Sequence, residues 1–247
     1  MLKKIKLSFA DKESLAMKSI ETAPISVDLS KMVVNKPWGY EYLLTNTPLV
    51  EVWHLSLDYL KSTSTHCHPN KKTALVVLEG KALFSTLNKS LKLSPMDAVI
   101  IDAGVFHSTK CLSKNGLKLL EVETPPMKHD LIRLKDKYGR ANMGYESREK
   151  MKLINNSYIK FRGEETRTIK KFCNNHLSLL FIKDNGDLKN LTPPKPELAV
   201  VLNGFIKSAD NDIRYRLGDV LNTASLNNRK LNFSNVSLLS ISKMQNV

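Results

Sequence analysis

Short apolar runs, alternating or continuous over four to eight residues, dominate the chain from about residue 33 onward. "YEYLL", "VEVWHLSLDYL", "TALVVLEGKALFSTL", "DAVIIDAG" and "GLKLLEVET" come first. "YIKFRG", "LSLLFIKD", "ELAVVLNGFIKSA", "GDVLNTA" and "VSLLSISK" follow beyond residue 155. Pro, Gly, Asn and Ser separate them at fairly even spacing. That pattern predicts short antiparallel strands closing a sandwich or barrel. Only residues 10–21, "ADKESLAMKSIE", carry a helical period: Leu15, Met17 and Ile20 share one side, and Asp11 can cap the start. Pro125 and Pro126 end the first group of strands, and a mixed connector runs to about residue 155.

The strands also repeat. "ALVVLEGKALF" (74–84) resembles "LAVVLNGFIKS" (198–208), and "LSPMDAVI" (93–100) resembles "YRLGDVLN" (215–222). Two copies of one β-module account for both matches. The expected fold is all-β: two barrels and a short N-terminal helix. The expected boundaries are 1–32 for the helix and arm, 33–150 for the first barrel and 151–247 for the second. The segment 1–32 is expected to cover a sheet edge across a partner chain, in a homodimer.

Composition narrows the class. A 42% hydrophobic content over 247 residues is enough for a sizeable core. No apolar run approaches the ~20 residues of a membrane span, and the start lacks an apolar signal region. Three cysteines without CxxC spacing argue against a disulfide framework. A cytoplasmic protein with no membrane partner is expected. The net charge of +14 comes from 30 lysines and eight arginines without a dense block, and aromatics are only 7%. Nucleic-acid readers favour clustered arginine with interleaved aromatics. Lysine and asparagine enrichment explains the charge better, leaving some attraction for small anionic ligands.

The chemistry centres on "STSTHCHPNKK" (62–72) and "MDAVIIDAGVFHSTK" (96–110). His66 and His68 are one residue apart, so a strand places them on one face. Adjacent strands of a small barrel can bring His107 beside them. Three imidazoles facing one cavity suit Zn²⁺, Fe²⁺, Mn²⁺ or Ni²⁺, with positions left open for water or substrate. Cys67 should point to the opposite face. Glu121 and Glu123 share a strand face with Leu117 and Leu119. If that face lines the barrel, one carboxylate is a candidate general base or extra ligand; on an edge strand both are solvated acids. His54 is a candidate for the same cavity, or a hydrogen-bonded histidine without a catalytic role. Lys71 and Lys72 follow the HxH pair and could hold a phosphate or merely be solvated. Arg133 and Arg140 could bind phosphate, or pair with Asp130 or Asp136.

This order of motifs resembles the cupin superfamily, which implies two jelly-roll barrels. His66, His68 and Gly80 fit its first motif, and Gly104 and His107 its second. The family's glutamate ligand falls on Thr73, the proline of its second motif on Asp102, and the first glycine of each motif on Leu60 and Met96. "NKPWGYEYLL" (35–44) and "DLIRLKDKYGR" (130–140) are similar to the framing motifs of cupin-type mannose-6-phosphate isomerases. Lys36, Pro37, Trp38, Gly39 and Glu41 match the first; Asp130, Arg133, Asp136, Tyr138, Gly139 and Arg140 match the second. The resemblance implies an aldose–ketose isomerase of sugar or nucleotide-sugar metabolism. It would carry one divalent transition metal on His66, His68 and His107, zinc before the others. The second half lacks the ligands: the repeat offset puts Asn190, Thr192 and Arg229 in their places, so a degenerate barrel is expected. A three-histidine iron dioxygenase, a metal-assisted decarboxylase and a non-catalytic sugar-binding protein are the alternatives.

Overall fold

The computed structural model describes residues 1–18, 27–141, 143–161, 168–184, 187, 197–208, 212–224 and 231–244. Ile20, Asn190, Thr192 and Arg229 lie outside them. The first half contains β1 (Leu2–Ile5), β2 (Met32–Lys36), β3 (Gly39–Asn46), β4 (Glu51–Leu57), β5 (Thr65–Cys67), β6 (Lys72–Glu79) and β7 (Ala82–Thr86). It continues with β8 (Ser90–Leu93), β9 (Ala98–Ile101), β10 (His107–Cys111), β11 (Leu117–Thr124), β12 (Ile132–Lys135) and β13 (Met151–Leu153). The second half contains β14 (Ile169–Phe172), β15 (Asn175–Ile182), β16 (Leu198–Asn203), β17 (Ile206–Ser208), β18 (Ile213–Tyr215), β19 (Val220–Asn222), β20 (Leu231–Phe233) and β21 (Val236–Lys243).

Two sheets face each other in the first half, in the orders β1-β9-β6-β11-β4-β3-β2-β13 and β12-β5-β10-β7-β8. The inner quartets β9-β6-β11-β4 and β5-β10-β7-β8 are a jelly roll. The second half repeats this order as β14-β15-β21-β16-β19 and β18-β17-β20. The counterpart of β5 falls in a stretch that is largely outside the described residues.

The repeat extends to individual bonds. In the turn before β9, Ser94 N–H donates to Asp97 Oδ2 (2.8 Å) and Met96 N–H to Val77 O (2.9 Å). Before β19, Arg216 N–H donates to Asp219 Oδ2 (2.8 Å) and Gly218 N–H to Val201 O (2.8 Å).

Three apolar clusters follow from the strand alternation. Leu55, Leu57, Leu75, Val77, Leu117 and Leu119 fill the first barrel, and Ala199, Val201, Ile206, Leu221 and Leu238 fill the second. The opposite faces of the two large sheets meet in a third cluster, where Val52, Val76, Ile100 and Leu120 join Leu177, Val200, Leu239 and Ile241. Strands such as "TALVVLE" are therefore buried on both faces, which explains their continuous apolar run. Thr47 Oγ1–H donates to Leu202 O (3.1 Å), Asn175 Nδ2–H to Leu78 O (3.1 Å), and Lys72 Nζ lies 2.9 Å from Asp219 Oδ1.

Several expectations need correction. The helix α1 is Phe9–Ala16; Ser8 is its N-cap and Asp11 answers from the third position in a capping box. Within the chain, β1 pairs in parallel with β9 and so covers that edge of its own sheet. β13 pairs with β2, so the first sheet runs past residue 150. "YIKFRG" forms no strand over its described residues 158–161; Phe161 instead inserts into the cluster between the sheets. No helix among the described residues is long and apolar enough to cross a membrane.

Candidate metal centre

His66 is the middle residue of β5 and His68 follows the strand's end, with His66 opposite His107 in the antiparallel pairing of β5 with β10. The candidate ligand atoms of the three histidines lie within 4.8 Å of one another, and all three side chains are buried. Each ring is held through Nδ1. His66 bonds Ser64 O at 2.9 Å, His68 bonds Asp130 O at 2.6 Å and His107 bonds Val105 O at 2.9 Å. A carbonyl accepts only, so each Nδ1 carries the proton and each Nε2 keeps a lone pair. His68 Nε2 is buried with no hydrogen-bond partner among the described residues.

Burial holds His66 and His68 well below the usual imidazole range, helped by the neighbouring His107 and Lys71 respectively. It lowers His107 to about 4. Three neutral imidazoles with outer nitrogens fixed and inner nitrogens free fit a divalent transition metal. Cys67 faces the other side, packing with Phe106 and Ile132.

A pocket open to solvent adjoins His66 and His68. The strand parity puts Glu121 and Glu123 in its wall, on the barrel-interior side of β11. Lys128 reaches both: its Nζ is 2.9 Å from Glu123 Oε1, 3.3 Å from Glu121 Oε2 and 3.4 Å from Glu41 Oε1. It also stands 4.0 Å over the Trp53 ring. Lys71 is fully buried, with Nζ 2.9 Å from Glu123 Oε2, though not along a hydrogen-bond direction.

The two glutamates therefore differ. Burial raises Glu121 to about 7, against the pull of Lys128 and with Glu123 and Glu41 adding to it. Burial also acts on Glu123, but Lys128 and Lys71 overcome it and hold Glu123 at about 2. Unequal carboxyls side by side are the arrangement from which acid–base chemistry is built.

The remaining expected residues divide. Arg133 lines the pocket, but its Nη1–H donates to the carbonyls of Met143 and Gly144, and its Nη2 lies 3.6 Å from Glu146. Arg140 pairs with Asp136 at 2.8 Å and Glu146 at 2.5 Å. Lys71 sits not on a solvated loop but inside the protein, because the Asp130 carboxylate accepts from Asn70 N–H (2.9 Å) and Lys71 N–H (3.1 Å) and folds the loop inward. His54 stays out of the pocket. Its neighbours Trp53 and Leu55 fill the barrel, so it points the other way, 5.0 Å from Tyr42 and 4.8 Å from Phe172. Thr73 shares the barrel-interior side with Leu75, and its buried hydroxyl has no partner among the described residues.

Sequence reasoning passed over Lys128 and Tyr145. Tyr145 O–H donates to Glu41, beside Lys36, whose Nζ is 3.3 Å from Glu41. Lys36, Trp38 and Glu41 of "KPWGYE" do line the pocket. Gly39 is required between them, since a Cβ there would meet Ser56 O at 1.9 Å.

These features define a cluster of three histidines in a jelly-roll barrel with two unequal carboxyls beside it. No family model matches the sequence and no curated protein matches it. Solved structures that are similar include KdgF from Halomonas sp., with 18% identity, a TM-score of 0.35, and 37% of this chain and 84% of that one covered. The capsular polysaccharide assembling protein CapF from Staphylococcus aureus is similar at 17% identity and a TM-score of 0.39, over 42% of this chain and 34% of CapF. At such identity and overlap, the site's own residues carry the functional argument.

Proposed function

We propose that the protein is a metal-dependent enzyme that moves a proton next to the carbonyl of a sugar, in the manner of an aldose–ketose isomerase. The observation that carries this reading is geometric: Glu121 and Glu123 stand buried side by side in the pocket wall, bridged by Lys128, beside three imidazoles oriented through Nδ1. His66, His68 and His107 would hold the ion, zinc first among the divalent transition metals; when bound, it supplies Lewis-acid polarisation of an oxygen. Glu121 takes the proton from the carbon next to the carbonyl and returns it to the former carbonyl carbon, while the hydroxyl proton passes from one oxygen of the enediol to the other; a carboxyl titrating near the working pH can both accept and return the carbon-bound proton. Lys128 keeps Glu123 charged and fixes both carboxylates against the Trp53 ring.

The charges of the pocket refine the substrate. Lys36, Lys71, Lys128, Arg133 and Arg140 are each already in contact with a carboxylate. A phosphate would have to displace those partners. The sugar carbons therefore occupy the depth of the pocket, and a phosphate, where the substrate has one, lies at its mouth.

The test is deuterium exchange from solvent into the carbon next to the carbonyl. Zinc-loaded protein is given mannose 6-phosphate, glucose 6-phosphate, fructose 6-phosphate and the unphosphorylated sugars. Exchange is expected with at least one of them, rising with pH through about 7 as Glu121 ionises. Glu121→Gln should lower it ~10²–10⁴-fold with the metal content unchanged. Saturable binding without exchange would replace this reading by a non-catalytic sugar-binding protein.

A further inference from the structure

We propose that the N-terminal strap, residues 1–17, is part of the support of the metal centre, and that Asp11 is the positioning residue for His107. The inference rests on the three-histidine reading above.

The strand β10 begins at His107, which pairs with His66 of β5 and Thr86 of β7, and only its C-terminal side continues into the ladder. On the other side lies the loop 102–106, which serves two ligands. Gly104 N–H donates to His68 O at 2.8 Å, and Val105 O accepts the His107 Nδ1 proton at 2.9 Å.

The strap grips that loop at three points. Asp102 N–H donates to Ile5 O at 3.0 Å, where β1 ends. Phe106 N–H, one residue from His107, donates to Asp11 Oδ1 at 2.9 Å. Between them Gly104 has φ +81°, and a Cβ there would come within 2.9 Å of Leu15 Cδ1 and 3.1 Å of Leu7 Cδ1.

Asp11 is the only buried residue of α1, at 2% exposure. Its other oxygen, Oδ2, accepts from Ser8 N–H at 2.9 Å and Ser8 Oγ–H at 2.6 Å, which fixes the carboxylate relative to the helix. A helix that needed only a cap would not bury this group 95 residues away in sequence against a ligand's neighbour. Ala98 N–H donates to Met1 O at 2.8 Å and anchors the strap's far end.

Outer groups that hold a ligand in place typically contribute 10–100-fold to metal affinity. Coupling is also reciprocal: if the strap favours the metal, the metal favours the docked strap.

The experiment uses the full chain, comparing wild type with Asp11→Ala, Asp11→Asn and Leu15→Ala. Zinc affinity is read by chelator competition, and ligand geometry by the absorption spectrum of the cobalt(II) form. Asp11→Ala should weaken zinc binding about 10–100-fold and alter the cobalt spectrum. Asp11→Asn should fall between, because its amide oxygen can still accept from Phe106. In wild type, zinc should slow hydrogen exchange at the Phe106 amide and in residues 1–17. If Asp11→Ala fails to fold, Leu15→Ala loosens the same loop and should show the smaller loss. Unchanged zinc affinity and cobalt spectrum in the folded variants, with only a lower melting temperature shared by both metal states, would overturn the strap's role. A wild type that binds no zinc or cobalt would overturn the three-histidine reading itself, and the strap's role with it.

Discussion

At Leu60 and Met96 the backbone is left-handed, with φ of 61° and 69°, although neither residue is glycine. The equivalent of Met96 in the second half is Gly218, at φ 71°. An L side chain in this region costs ~1–2 kcal/mol. Met96 recovers part of that by packing against the cluster between the sheets; Leu60 is 53% exposed and recovers little. Leu60→Gly should therefore raise stability by up to about 1 kcal/mol, after subtracting the chain entropy that glycine adds, as read from urea unfolding. Loss of stability would show that Leu60 is held by contacts that outweigh its backbone. His54 offers a second case. Its two ring nitrogens are buried with no hydrogen-bond partner among the described residues, and burial lowers it to about 3. An unfolded imidazole gains its proton near pH 6.5, the folded one near 3, so stability due to neutral His54 is present above 6.5 and drains away as pH falls between them. His54→Leu should stabilise by ~1–3 kcal/mol at neutral pH and by more at pH 5. The three ligand histidines, buried and neutral in the same way, keep some acid sensitivity in the metal-free protein. A variant less stable at both pH values would sink this account.

Among the strands, parity decides which residues meet. The alternation of β4 is written in "EVWHLSL": Trp53 and Leu55 face the barrel, so His54 cannot. The same logic read forward on β11 brings Glu121 and Glu123 to the pocket with Leu117 and Leu119 behind them. The three histidines were legible for that reason too, since two lie one residue apart and the third begins a neighbouring strand. What parity could not reveal was the set of long-range partners. Lys128 lies in a loop with no period, and it contacts Glu41 across more than 80 positions of chain. Pairing of Arg140 with Asp136 was one of the alternatives the sequence offered, but nothing in it pointed to Glu146, which engages both Arg133 and Arg140. The short strands β1 and β13 were missed because three or four residues give too little alternation to read, and their pairing depends on edges that other strands leave open.

On the scale of the whole molecule, the cluster between the two large sheets joins the halves as tightly as either barrel is filled. Residues from β6, β9 and β11 meet residues from β15, β16 and β21 with exposures near zero. The repeat visible in sequence anticipated two similar modules; it carried no information on how they pack, because the outward apolar positions looked like ordinary strand residues. Leu239, fully buried in this joint, should cost ~2–5 kcal/mol on replacement by alanine. Unfolding of Leu239→Ala followed by Trp fluorescence, which reports only Trp38 and Trp53 of the first half, should shift by the same amount as unfolding followed by circular dichroism. Two separated transitions would mean that the halves are energetically independent.

The central claim is that His66, His68 and His107 form a single metal centre. It is tested most directly by measuring bound transition metal per chain after purification without added metal, in wild type and in His107→Ala. About one divalent ion per wild-type chain is expected, because among the described residues only one cluster of three ligands exists, and little in His107→Ala, because two imidazoles leave too few strong ligands. A wild-type chain that carries no metal and takes none up on exposure to zinc, or a His107→Ala variant that keeps its full equivalent, would contradict it.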